Sequence, residues 1–191
     1  ENLQKYGVPV VVALNHFYAD TAAEVDFVRS FCASRGVAFS VAKCFGEGGS
    51  GSTDLAEKVV AACAQESHFR FLYDLDRPLE EKIETIAREI YGADGVDYTA
   101  QAKKDMAALK ELGVCDLPVC MAKTQYSLSD DPKKLGRPSD FRITVVSAEV
   151  SNGAGFIVCR TGKIMTMPGL SKKPAAYSIG IDENGNTVGL F

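Results

Sequence analysis

Val8-Pro9-Val10-Val11-Val12-Ala13-Leu14 is an unbroken apolar run. It is short for a helix, but it suits a strand buried on both faces, as in a parallel sheet. Thr21-x-x-Glu24 then offers a capping box. Phe27, Val28, Phe31 and Cys32 follow at the spacing of one helix face, with Val25 on its edge. Gly36 supplies the stop. Val37-Ala38-Phe39-Ser40-Val41-Ala42 reads as a second strand. Strand, helix and strand in this order predict a right-handed crossover joining parallel neighbours.

The alternation continues outward from this unit. After the second strand comes a glycine-rich loop, Gly46-Glu47-Gly48-Gly49-Ser50-Gly51. Ser52 or Thr53 then caps a helix carrying Leu55, Val59 and Cys63. Phe69–Tyr73 reads as a short strand. Ile83, Ile86, Ala87 and Ile90 mark a helix ended near Gly92, and Thr99–Leu112 marks another closed by Gly113. Leu117–Ala122 is a further apolar strand. Beyond residue 123 the helical periodicity disappears. Phe141–Val150 and Gly155–Arg160 predict a hairpin around Asn152-Gly153, and the tail predicts a smaller one around Asn184-Gly185. The expected fold class is α/β: a mainly parallel Rossmann-like sheet flanked by helices over residues 1–123, with a strand-rich carboxyl-terminal extension, 124–191, packed on it.

Composition excludes several function classes. Apolar residues make up 46% and charged residues 24% of the 191, which is globular rather than disordered. Basic residues number 21 against 25 acidic, a net charge of −4, so nothing favours wrapping nucleic acid or lying on an anionic membrane. Apolar runs are short and interrupted by charge, so no segment reads as a membrane span. The chain opens on Glu1-Asn2-Leu3-Gln4-Lys5 without Met or an apolar leader, the expected look of a piece cut from a longer polypeptide. The six cysteines sit mostly inside apolar runs with no CxxC spacing, and only His16 and His68 accompany them. They read as reduced thiols of a cytoplasmic protein, and no metal site is expected.

In open α/β sheets ligands bind beyond the carboxyl ends of the strands. Three segments leave such ends: Asn15–Asp20, Lys43–Gly46 with its glycines, and Lys123–Asp131. If the strands are parallel, the three share one rim. The first two bring Phe17, Tyr18 and Phe45 there; these rings either sandwich a flat heterocycle or cap the end of the core. Gly46-x-Gly48-x-x-Gly51 matches the dinucleotide fingerprint, yet Glu66 does not end a second strand as the ribose-binding acid should, and a turn that lets backbone pass close is the plainer reading. Lys123, Thr124, Gln125, Tyr126, Ser127, Ser129 and Asp130 suit an anion or a polar ring edge, or plain turn chemistry. His16 has no paired nucleophile in the sequence. Glu80-Glu81-Lys82 and Lys103-Lys104-Asp105 read as solvated helix faces. Met165-Thr166-Met167-Pro168-Gly169-Leu170 is an apolar turn suited to a ligand or to core.

Val8–Asn15 with Phe17 and Asp20-Thr21, Gly48-Gly49-x-Gly51, Ile90-Tyr91-Gly92-Ala93-Asp94-Gly95-Val96, Ala122-Lys123-Thr124-Gln125-Tyr126-Ser127-x-Ser129-Asp130, Met165–Leu170 and the final Gly189-Leu190-Phe191 together resemble formate–tetrahydrofolate ligase (10-formyltetrahydrofolate synthetase). The resemblance runs end to end, in order, and points to the carboxyl-terminal third of that enzyme. It implies a cytoplasmic homotetramer that uses ATP and magnesium, is stimulated by monovalent cations, and joins formate to tetrahydrofolate through formyl phosphate. It also implies that the phosphate-handling residues lie upstream, since no GxxxxGK[ST] occurs in these residues.

What the resemblance places in this chain is the folate pocket. Phe17 and Phe45 fall on its two pterin-stacking walls, with Tyr18 beside them where proline is common. Phe45 stands where the family often carries tryptophan, and Ser171 departs from a usual proline. Asn15, Gly48, Gly49, Lys123, Gln125, Ser127, Asp130, Met167 and Gly169 fall on the surrounding loops. No catalytic residue is assigned in this chain, which is expected to be inactive without the rest of the enzyme, its principal partner. The alternatives are a free-standing Rossmann-like nucleotide-binding module and a structural oligomerisation domain.

Overall fold

The computed structural model describes residues 1–162, 164 and 172–189. The opening apolar run becomes β1 (Val11–Asn15), paired in parallel with β2 (Ala38–Ala42), from Val11 opposite Ala38 to Asn15 opposite Ala42. Helix α1 (Ala22–Ser34) connects them. Thr21 and Glu24 form the expected reciprocal cap, and Gly36 turns the chain at φ 65°. A short helix, α2 (Cys44–Glu47), and a 3₁₀ turn, Gly48–Ser52, lead into α3 (Thr53–Cys63). Alternation along β2 sends consecutive side chains to opposite faces. Phe39 meets α1, with the Arg29 guanidinium 5.1 Å from its ring centroid. Ser40 meets α3, donating to Asp54 Oδ2 at 2.5 Å.

Two strands make a narrow platform. Strands lie about 4.8 Å apart, whereas a helix with its side chains is about 10 Å wide. This explains two departures from the sequence reading. β1 is half-buried or exposed along its length rather than enclosed on both faces. On α1 only Cys32 is buried, while Phe27 and Phe31 stand exposed.

The second region is a four-stranded mixed sheet in the order β3-β5-β6-β4. β3 (Gly95–Tyr98) pairs in parallel with β5 (Arg142–Ser151), and β4 (Val119–Ala122) pairs in parallel with β6 (Phe156–Thr161). β5 and β6 form the expected antiparallel hairpin and occupy the centre of the sheet. Strands from both sides of residue 123 therefore pair with one another. Helix α4 (Leu79–Ile86) runs into a π-helical turn, Ala87–Tyr91, that stops at Gly92 with φ 73°. Helix α5 (Ala100–Glu111) starts from the Thr99 cap. One apolar cluster joins these elements and includes Ile83, Ala87, Ala102, Ile143, Val145, Ile157 and Cys159.

Lys82 overturns the solvated-face reading of its segment. Its side chain is fully buried, and Nζ donates to the backbone oxygens of Cys115 at 2.7 Å and Leu117 at 3.1 Å. Burial lowers its pKa from the ordinary lysine value. Phe69–Tyr73 likewise forms no strand. The backbone around its start hydrogen-bonds instead to the chain start, through His68 N to Gly7 O and Arg70 N to Tyr6 O. The tail hairpin forms as β7 (Gly180–Ile181) and β8 (Thr187–Val188) around Gly185.

Candidate functional site

Parallel pairing of β1 and β2 puts the loops at their carboxyl ends side by side. After β1, His16 N extends the pairing by donating to Ala42 O at 2.9 Å. The next turn closes on itself: Phe17 N donates to Asp20 Oδ2 at 2.8 Å, and Asp20 N donates to Phe17 O at 3.0 Å. The turn ends on the α1 cap, so the Phe17 backbone is held from both ends.

After β2, α2 begins at once. Glu47 N donates to Lys43 O at 3.0 Å, and Lys43 N donates to Gly51 O at 2.9 Å. Gly48 takes a positive φ of 59°, a backbone shape that glycine adopts without a Cβ clash. Gly51 is required for a different reason. A Cβ there would lie 2.7 Å from the Lys43 carbonyl carbon and oxygen and 3.0 Å from the Glu47 Cβ. The glycines thus shape a closed turn that presents Phe45.

Between the two loops lies a cavity of about 720 Å³, lined by Asn15, His16, Phe17, Tyr18, Lys43, Phe45, Gly46 and Glu47. Phe45 and Tyr18 are fully exposed, and Phe17 is 62% exposed. Rings left in water at the mouth of a cavity contribute nothing to a core, so their burial awaits another molecule or surface. Flat aromatic faces favour flat partners.

Asn15, Phe17, Tyr18 and Phe45 are thus brought together, and Gly48 and Gly49 follow directly behind. No residue of the third loop lines this cavity, and β4 belongs to the other sheet. Lys123 Nζ donates to Thr124 O and Ser127 O and sits 5.3 Å from the Tyr91 ring centroid. Burial lowers its pKa. Ser127 and Ser129 share a buried hydroxyl contact at 2.9 Å, Asp130 accepts from Thr144 N at 2.8 Å, and Gln125 is exposed. These groups hold their own loop against β5. Met167 and Gly169 lie outside the described residues. His16, which the sequence leaves without a paired nucleophile, also lines the cavity, as do Lys43, Gly46 and Glu47, which the sequence reading did not name as pocket residues. Lys43 and Glu47 carry a usable signal, flanking Phe45 at i−2 and i+2 in a rim loop.

Among the described residues, no group of three or more His, Cys, Asp or Glu is placed to hold a metal ion. No helix there is long and apolar enough to cross a membrane. The family model described as formate–tetrahydrofolate ligase matches residues 1–191, the whole of the sequence. The match covers β1, β2 and both ring-bearing loops, so this chain belongs to the formate–tetrahydrofolate ligase family.

Proposed function

We propose that this chain supplies the pterin pocket of an ATP-dependent ligase that forms 10-formyltetrahydrofolate from formate and tetrahydrofolate. The observation that carries the reading is the placement of Phe17 and Phe45 on adjacent rim loops around one cavity. A reduced pterin is flat and polar at its edges, and ring stacking suits its faces. ATP and magnesium bound elsewhere in the enzyme would activate formate: a formate oxygen would take the γ-phosphoryl group and ADP would leave, giving formyl phosphate. The folate amine attacks the formyl carbon of formyl phosphate, the carbon–oxygen bond to phosphate breaks, and phosphate leaves. The pocket's part is orientation, because a nitrogen held in line with its target reacts far faster than one arriving freely. In this reading the chain is a carboxyl-terminal piece of a cytoplasmic homo-oligomer, inactive without the remaining enzyme.

Calorimetric titration of tetrahydrofolate into the chain tests the proposal. Saturable binding is expected, and Phe45→Ala should weaken it by about tenfold or more, the usual scale for removing one stacking wall. Phe45→Trp should tighten it. Binding indifferent to Phe45, or binding of ATP or NAD in place of folate, overturns the assignment.

A further inference from the structure

Rings select a flat ligand without selecting which one, so specificity must come from the polar side chains of the same cavity. Those are Asn15, His16, the Tyr18 hydroxyl, Lys43 and Glu47. The pyrimidine edge of a pterin presents an acceptor and then two donors: the 4-oxo oxygen, N3–H and the 2-amino group. Two adjacent donors are matched by a group with two acceptor oxygens and no competing hydrogen, which is a carboxylate. Lysine only donates, and asparagine, neutral histidine and the tyrosine hydroxyl each offer a single acceptor atom. Among the cavity's lining residues only Glu47 meets the requirement. Asp20, on the facing loop, already accepts from Phe17 N.

Resting on the pterin-pocket reading, we propose that Glu47 is the specificity-determining residue that reads the 2-amino and N3–H edge of the pterin. Its carboxylate accepts no hydrogen bond among the described residues. Its ion-pair partner there is Lys43, with Nζ 3.9 Å from Oε1 and both side chains about half exposed. Such a loose exposed pair is weak and yields readily to a ligand. Lys43 also completes the match, because a donor beside two acceptors mirrors the 4-oxo, N3–H and 2-amino order.

The backbone position of Glu47 is built as firmly as that of Phe45. Glu47 N donates to Lys43 O, Ser50 Oγ donates to Glu47 O at 2.6 Å, and the bare Gly51 Cα allows the close approach. Stacking wall and edge reader therefore ride on one four-residue helix, and neither can shift without the other.

The test pairs two ligands with two variants. Pterin and pteridin-4-one share ring faces, 4-oxo group and N3–H, but the second lacks the 2-amino group. Fluorescence titration of the unsubstituted chain should show pterin bound about tenfold more tightly, the scale of one bidentate contact. Glu47→Gln should reduce that preference to about twofold or less, mainly by weakening pterin. Phe45→Ala should weaken both ligands alike. Circular dichroism checks that each variant keeps the fold. Equal weakening of both ligands by Glu47→Gln, or an unchanged preference, overturns the role of Glu47 and leaves the ring pocket standing. Binding of neither pteridine to the unsubstituted chain overturns both.

Discussion

The two halves of the described chain are built on opposite plans. Around the four-stranded sheet, Ile83, Ile143, Val145, Ile157 and Cys159 are sealed from water on all sides. Around the β1–β2 pair, Cys32, Phe39, Ser40 and Ala42 are buried, and large rings point outward. The candidate site lies entirely on the thin half. That division has a physical basis. A pocket whose walls must meet a ligand cannot also be filled by its own core, whereas a sheet with one face sealed under α4 and α5 can hold the fold while the rim stays open.

The largest expected effect comes from cutting into the thick half. Ile143 is fully buried on β5, between β3 and β6. Ile143→Ala should cost about 2–5 kcal/mol, read from the urea midpoint. Thiol labelling sharpens the comparison, because each half has its own buried reporter. Cys159 lies on β6, with its thiol pushed up to about 12 by desolvation, and Cys32 lies on α1. Cys44, Cys63 and Cys120 are exposed and should label at once. In the unsubstituted chain Cys32 should label before Cys159, since few buried contacts hold its helix. Ile143→Ala should then speed Cys159 by at least about thirtyfold and Cys32 far less. Equal acceleration of the two would show that the halves open as one unit.

Lys82 provides the next effect. Lys82→Met keeps the stem volume but leaves the Cys115 and Leu117 carbonyls without a donor, so a loss of about 2 kcal/mol is expected. The loss should also depend on pH. Burial lowers the Lys82 pKa in the folded chain, so just below the ordinary lysine range the unfolded chain binds more protons than the folded one. Stability from this group therefore rises with pH through that window. Between about pH 8 and about pH 9.5, below the tyrosine range, the unsubstituted chain should gain stability relative to Lys82→Met. Parallel pH profiles for the two proteins would place the ammonium in water.

Local signals survived folding best. The Thr21–Glu24 box, the stops at Gly36, Gly92 and Gly113, and the Asn152-Gly153 and Asn184-Gly185 hairpins are written within a few residues, so nothing distant can overrule them. The two ring-bearing loops were legible for a related reason, because parallel pairing of β1 with its next strand is enough to align them. What escaped depended on distant partners. Lys82 falls on the apolar stripe of Leu79, Ile83 and Ile86, a usable warning, but its acceptors lie more than thirty residues away. The stripe of Phe27 and Phe31 promised a core that two strands are too narrow to provide. Lys123–Asp131 contributes nothing to the cavity lining, because β4 pairs with β6 and not with β1 or β2.

The smallest effect compares the two helix caps, one in each half. Thr21 accepts from Glu24 N at 3.3 Å at an exposed start of α1. Thr99 accepts from Ala102 N at 3.1 Å and also donates to Val146 O at 3.0 Å, which ties the start of α5 to the bulged stretch of β5. A lost threonine cap costs about 1 kcal/mol in general. Thr99→Ala adds an unpaired, partly buried carbonyl, so it should cost about 2 kcal/mol, against about 0.5 kcal/mol for Thr21→Ala. Thr99→Ser keeps the hydroxyl and should recover most of the difference. Urea midpoints of the three variants measure this directly. If Thr21→Ala proves the costlier change, the β1–β2 half contributes more to cooperative folding than its sparse buried contacts imply.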